Sequence, residues 1–256
     1  NKDLKPEKSK SFTLGLVLEP IQNTTLTVDY WSVKVKDVIG SIDEEDLVDP
    51  ATYANFAQFF HYVQPGNILP LSTRACQNGP TSPSCGYIDE RTQNLGGTKT
   101  HGLDFGARYR MNSAVGRWTF DYASTYVIDY QYQNYKGGPW NKNVGIFSGE
   151  GRVFRWQHNG GVNWSNGGWS SGLAVHYKSG YLDLDPSNKV SSYTTADAWV
   201  SYSPTKSMTL LFGVRNLTDA EPPFSNQDTL FQSGGWDSRY SDPVGRTYYL
   251  RGSYNF

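Results

Sequence analysis

Long apolar runs, cysteine and any excess of one charge are what this sequence is short of, and each shortage excludes something. No stretch of about 18 consecutive apolar residues occurs and the mean hydropathy is -0.58, so helical membrane spans are out. A transmembrane β-barrel survives that exclusion, because its strands alternate and average out as hydrophilic. The formal net charge of -1, with no basic cluster, argues against nucleic acid as a partner. Cys76 and Cys85, the only cysteines, lie in a polar segment rich in Gly, Pro and Ser, away from all four histidines. They make a poor zinc site and predict a loop disulfide in an oxidising compartment. His-Glu-x-x-His and a P-loop are missing as well, and neither enzymatic activity nor a cofactor is expected. No signal peptide precedes Asn1, so an exported chain has lost one or continues further upstream.

Aromatic residues are abundant. Eighteen Tyr, twelve Phe and eight Trp suit the interfacial girdles of a membrane barrel, or a carbohydrate-binding surface. Most recur with period two. Phe12, Leu14, Leu16 and Leu18 open the series, followed by Leu26, Val28 and Tyr30. The phase slips at Trp31, where a bulge or the strand's exit from the lipid band would each account for Val33 and Val35 on the other parity. Leu103, Phe105, Ala107 and Tyr109 alternate next, and Trp118, Phe120, Tyr122, Tyr126, Ile128 and Tyr130 repeat the pattern. Phe154, Trp156, Val162 and Trp164 continue it, with His158 the polar exception on the apolar side. Trp169, Leu173, Val175, Tyr177 and Tyr181 come after a short turn; then Ala196, Ala198, Val200 and Tyr202; then Met208, Leu210, Phe212 and Val214.

With the terminal segment, this predicts about nine antiparallel strands whose connections alternate short and long, as in outer-membrane barrels with tight periplasmic turns and long outer loops. Residues 39–98 form the longest insertion. An acidic run, Asp43, Glu44, Glu45 and Asp46, precedes Tyr53, Phe56 and Phe60 at helical spacing, which predicts a short helix in an extracellular loop. The run reads as a solvated helix N-terminus, with calcium binding as the alternative.

Charge placement fits a bilayer. Arg108, Arg110, Arg155, Lys178, Arg215 and Arg251 keep to the polar parity. An Arg or Lys facing lipid near midplane costs roughly 2 to 4 kcal/mol, so a membrane barrel requires this separation. A soluble sheet would make it too, which leaves the loop asymmetry and the chain end to decide. In residues 245–256, Tyr248, Leu250, Gly252, Tyr254 and Phe256 share one face. An exposed apolar terminal strand is an aggregation hazard in water and a closing seam in a lipid-facing barrel. If the short turns are periplasmic, the first strand descends and the last ends in the periplasm, giving an odd count. A barrel with both termini inside needs an even one, so at least one strand is expected before Asn1.

The chain resembles the C-terminal part of a TonB-dependent receptor, one of the large outer-membrane active transporters of Gram-negative bacteria. The resemblance is carried by residues 1–9 (Asn-Lys-Asp-Leu-Lys-Pro-Glu-Lys-Ser), 26–31 (Leu-Thr-Val-Asp-Tyr-Trp), 99–105 (Lys-Thr-His-Gly-Leu-Asp-Phe), 213–219 (Gly-Val-Arg-Asn-Leu-Thr-Asp) and the terminal segment. It implies an all-β fold, the last part of a barrel of roughly 22 strands with long extracellular loops and a periplasmic C-terminus. It also implies ligand capture by outer loops and movement of an N-terminal plug driven through the TonB complex. The plug, the TonB-contacting motif and the earlier strands lie outside this sequence. Ligands in the family include ferric siderophores, haem, cobalamin, nickel complexes and oligosaccharides. The terminal Phe256 with Tyr248, Leu250 and Tyr254 resembles the signal read by the barrel-assembly machinery.

Asp104, Arg108, Asp121, Asp129, Arg155 and Asp197 are expected to face the lumen, pairing with the plug or, alternatively, touching ligand. Phe60, Tyr62, Trp140, Trp236, Arg239 and Tyr240 combine aromatic faces with charge in the loops, suitable for stacking on a sugar or an aromatic siderophore; packing among loops would use the same residues. A passive porin is the nearest rival function, and a soluble glycan-binding module is the third.

Overall fold

The computed structural model describes residues 2–42, 47, 55–56, 59–62, 86–148, 153–227 and 234–256. The nine predicted strands are present. β1 (Lys8–Leu18), β2 (Thr24–Lys36), β3 (Ile39–Gly40), β4 (Phe60–Tyr62), β5 (Gly86–Ile88), β6 (Gln93–Asn94), β7 (Gly97–Ser113) and β8 (Gly116–Tyr132) form the first half. The second half holds β9 (Asn141–Lys142), β10 (Trp156–Asn166), β11 (Trp169–Lys178), β12 (Tyr181–Leu182), β13 (Lys189–Val190), β14 (Tyr193–Thr205), β15 (Met208–Arg215) and β16 (Thr247–Tyr254).

The main sheet is an antiparallel meander in the order β1-β2-β7-β8-β10-β11-β14-β15-β16, with β9 alongside β8. Three small two-stranded pairs, β3 with β6, β4 with β5 and β12 with β13, belong to the long connections. The short connections are tight for a local reason. Gly167 between β10 and β11 takes φ 57° and Asn23 ahead of β2 takes φ 64°, left-handed conformations that suit Gly and Asn.

Register turns the period-two pattern into two faces. Trp164 lies across from Trp118 and Val162 from Phe120; on the other side Val162 meets Leu173, and Leu173 meets Ala198. Val200 pairs with Phe212, and Phe212 with Leu250. The one irregularity between β14 and β15 falls between Tyr202 and Thr205, where Thr205 pairs with Met208, while β15 and β16 stay in register down to Met208 opposite Tyr254. One face is therefore apolar from strand to strand, and it is open: Leu14, Leu173, Phe212 and Leu250 are all exposed.

The phase slip at Trp31 falls inside one strand, β2, and the Trp31 ring lies over Gly102, where a Cβ would collide with it. Other local readings change. Phe154 and Tyr181 leave the alternation altogether. They are buried together with Val190 in a cluster packed by Tyr240, because β10 begins only at Trp156 and β11 ends at Lys178. Phe60 opens a strand, opposite Ile88, instead of closing a helix. Most of the predicted helix, including Tyr53 and the acidic run, lies outside the described residues, as do Cys76 and Cys85.

By internal packing the chain divides into two units. One comprises residues 1–10, 34–98 and 132–141; its buried centre is Ile42, Leu47 and Phe56, with Tyr135 edge-on to Phe56 at 4.7 Å. The other comprises residues 11–33, 99–131 and 142–256 and contains most of the sheet.

Candidate functional site

Within the second unit, the polar face of the sheet carries two adjoining recesses. Small side chains make the floor of the first, about 500 Å³, where Gly106, Ala123, Gly161 and Ala174 leave room between larger neighbours. Its rim is ionic and polar. Arg108 Nε donates to Asp121 Oδ1 at 2.5 Å, and across the floor His176 Nδ1 and Asn159 Oδ1 lie 2.7 Å apart. The second recess, about 590 Å³, is bordered by Lys178, Tyr193, Asp197, Arg215, Tyr240 and Asp242. Both volumes are in the range of small-molecule sites.

The lumen candidates mostly gather on this face. Asp104 accepts from Thr125 Oγ1 at 2.7 Å, and Asp129 Oδ2 accepts from Gln131 Nε2 at 2.6 Å. Asp197 Oδ1 takes the Asn216 backbone N–H at 2.8 Å, while its Oδ2 sits 3.8 Å from His176 Nε2. Arg155 departs from the pattern. It lies in the bend before β10, its Nη1 reaches the carbonyls of Val127 and Ile128 at 3.4 and 3.3 Å, and its guanidinium stands 5.9 Å from the Tyr126 ring, an apolar-parity residue.

Loop candidates divide. Trp236, Arg239 and Tyr240 belong to one packed assembly in the second unit. Arg239 closes on Asp237 through Nε and Nη2 at 3.3 and 3.1 Å, and its guanidinium also lies over Phe147 and Tyr240. Tyr240 meets Phe154 edge-on at 5.1 Å and gives its carbonyl to Lys178 Nζ at 2.7 Å. The Trp236 indole N–H is buried with no acceptor among the described residues. Phe60 and Trp140 belong to the first unit; Phe60 packs on its buried centre and Trp140 is exposed. Tyr62 ends β4.

Sequence reasoning missed the residues that hold this assembly. Asp183 is buried and accepts from Ser225 Oγ, the Asn226 N–H and Asn188 Nδ2 at 2.9, 2.6 and 2.8 Å, tying residues 183–188 to residues 225–226. At the base of the last long connection, Asn216 and Ala220 exchange two hydrogen bonds of 2.9 Å, and Asp219 accepts from the Arg246 N–H at 2.8 Å. The left-handed φ values of Asn216 and Asp219 make this turn, and Asn-Leu-Thr-Asp is its only trace in the sequence. Nearby Asp185, exposed in its turn, has its carboxyl held below the usual range by hydrogen bonds from Ser187.

A serine-hydrolase pattern, Gly168-Trp169-Ser170-Ser171-Gly172, is also present, and its setting removes it from chemistry. It starts at a hairpin turn, Ser170 lies within β11, and its Oγ shares a 2.9 Å hydrogen bond with Ser201 Oγ. A nucleophile elbow needs a strand-to-helix turn with a histidine in reach.

On the apolar face the aromatics collect in two tiers. Trp118, Trp164, Trp169 and Tyr202 stand near the short turns, with Trp169 stacked on Tyr202 at 4.5 Å. Tyr126, Trp156, His158 and Tyr177 make the other, joined by contacts of 4.5, 5.0 and 5.2 Å. The eight positions from Trp118 to Tyr126, at roughly 3.3 Å per residue and a tilt of about 40°, separate the tiers by roughly 20 Å, close to the height of an outer-membrane apolar band.

A family model described as TonB dependent receptor-like, beta-barrel, matches residues 1–217. The chain belongs to the TonB-dependent receptors. Solved structures with the same fold include a variant of the ferric enterobactin receptor of Pseudomonas aeruginosa, 18% identical with a TM-score of 0.63. The siderophore receptor PirA of Acinetobacter baumannii is 18% identical at 0.61, and the FrpB iron transporter of Neisseria meningitidis 13% identical at 0.62. These alignments take in 99 to 100% of this chain and 32 to 33% of theirs, so this TonB-dependent receptor segment spans about a third of their length. No curated protein matches it significantly in sequence.

Proposed function

We propose that this segment is wall and ligand-recognition loops of an outer-membrane transporter that takes up a scarce nutrient with energy from the TonB complex. The single observation that supports it best is a main sheet with a continuous, water-exposed apolar face in a chain of this family. Such a face stays soluble only when something covers it, and the two aromatic tiers bound a strip of bilayer height. In this reading the short turns and Phe256 are periplasmic and the long connections extracellular. Asp104, Arg108, Asp121, Asp129 and Asp197 face the plug, and the barrel-assembly machinery reads Tyr248, Leu250, Tyr254 and Phe256.

For the ligand, we favour a ferric siderophore or another metal chelate over an oligosaccharide. In the second unit, Arg239 and Tyr240 set a guanidinium against an aromatic face, a pairing suited to such a molecule, and the loop aromatics Phe60 and Trp140 of the first unit are separate candidates. The test is uptake of radio-iron-labelled chelates by cells carrying or lacking the complete receptor, with and without TonB. Saturable uptake that disappears with either is expected. Uptake that persists without TonB and scales linearly with concentration would make the protein a passive pore.

A further inference from the structure

Resting on the membrane reading, we propose that the tier of aromatics at the long-connection end of β8, β10 and β11 holds the anionic phosphate head group, one carrying no tethered cation, of a lipid in the adjoining leaflet. His158 prompts the question, as a polar side chain on the apolar face where a bilayer penalises it unless it has a partner. Its Nδ1 has one, sharing a 2.8 Å hydrogen bond with Tyr122 Oη, while the ring is held against Trp156 at 5.0 Å and Tyr177 at 5.2 Å. That leaves Nε2 uncommitted.

The groups around it are donors. Trp156 Nε1, Tyr126 Oη and Tyr177 Oη have no hydrogen-bond partner among the described residues, and Arg155 brings a guanidinium to within 5.9 Å of the Tyr126 ring. Arg155 spends only Nη1, on two backbone carbonyls at 3.3 and 3.4 Å. Carboxylates are on the wrong side: Asp121 and Asp129 fall on the polar parity of β8, where Asp121 is paired with Arg108. A permanent cation, an imidazole and three further N–H or O–H donors, with no acid on the same face among the described residues of these strands, complement a phosphate ester. A zwitterionic choline head group would place a cation against the same donors.

Height favours a lipid over a free anion. The tier stands roughly 20 Å above the Trp118 and Trp169 tier, at the level where head groups lie and acyl chains would run down over Phe120 and Leu173. His158 therefore acts as a head-group ligand, and Tyr122 as the residue that orients it.

The experiment uses the complete receptor in detergent micelles, titrated by native mass spectrometry with short-chain phosphatidic acid, short-chain phosphatidylcholine or inorganic phosphate. Wild type, Arg155→Gln, His158→Phe and the double variant are compared; the Phe substitution keeps the ring in the tier. Retention of phosphatidic acid at least fivefold above phosphatidylcholine is expected, falling about threefold in each single variant and about tenfold in the double. Equal retention of the two lipids, unchanged retention in the double variant, or inorganic phosphate bound as well as phosphatidic acid would overturn the proposal. Shifted mobility of the unheated receptor in gel electrophoresis confirms a folded barrel in every sample. A receptor soluble without detergent would instead sink the membrane reading itself.

Discussion

Leu173 gives the sharpest test of what touches the apolar face. It lies four positions along β11 from Trp169, opposite Val162 and Ala198, and is 40% exposed. Four residues at roughly 3.3 Å and a tilt of about 40° raise it roughly 10 Å above the lower tier, near the middle of a band of about 25 Å. Leu173→Arg should then cost roughly 2 to 4 kcal/mol, whereas Tyr177→Arg, at the upper tier, should lose about 0 to 1 kcal/mol from charge burial. A Leu that is this exposed to water would accept Arg within about 0.5 kcal/mol. The assay is a denaturant titration of the complete receptor in lipid vesicles, followed by tryptophan fluorescence, with the unfolding midpoint and slope compared across variants. Leu173→Arg as harmless as Tyr177→Arg would refute the reasoning, since no hydrocarbon would then surround that position.

Deleting Phe256 is expected to lower the amount of barrel in the outer membrane more than the ligand affinity of whatever assembles; an undiminished yield counts against an assembly role. Cys76 and Cys85 should be bridged, and intact mass should rise by about two hydrogens on reduction. Gly213→Ala should destabilise the barrel by roughly 1 to 3 kcal/mol through overpacking, because a Cβ there would run into the Tyr249 ring, and denaturant titration reads it directly. Asp183→Ala strands the buried Ser225 hydroxyl, at about 1 to 3 kcal/mol, and frees the half-buried Asn226 N–H. Hydrogen exchange at Ser225, Asn226 and Gln227 should accelerate while the sheet amides keep their protection.

The sheet was legible because its rule is local. Period two fixes a face at every position, and Leu103, Trp118, Leu173 and Leu210 carry the pattern without help from distant residues. Where the pattern stops governing, the reading failed. Phe154 and Tyr181 sit in phase with β10 and β11, yet pairing in the main sheet stops short of both, and their rings cluster with Val190 and Tyr240 from the long connections. Arg155 obeys the polar parity in letters, but a bend lets its side chain cross to Tyr126. Loop contacts such as Asp183 with Ser225 join segments some forty residues apart and leave no periodic trace. Of the candidate recognition residues, sequence found the aromatics and missed the carboxylates that hold them.

Those carboxylates explain how the long connections can keep one shape. Among the described residues, the most completely buried side chains, Phe56, Leu47, Gln227, Val190, Asn143, Asp183 and Ser225, all lie outside the nine strands of the main sheet. A wall one sheet thick has no interior; backbone pairing and the medium on either side stabilise it. The long connections have to build interiors of their own from few apolar residues: the first unit around Ile42, Leu47 and Phe56, the second with the buried carboxylates Asp183 and Asp237 as well as Phe154, Tyr181 and Val190. A buried carboxylate tolerates only arrangements that supply its donors, so each such hub discards alternative loop geometries that an apolar contact of the same size would permit. Arg239 and Tyr240 are thereby held in place: Arg239 through Asp237, and Tyr240 through Lys178 and Phe154. If these loops capture ligand as proposed, less ordering entropy remains to be lost. Under the proposed function, loops set in advance on such a wall would suit the capture of a dilute ligand.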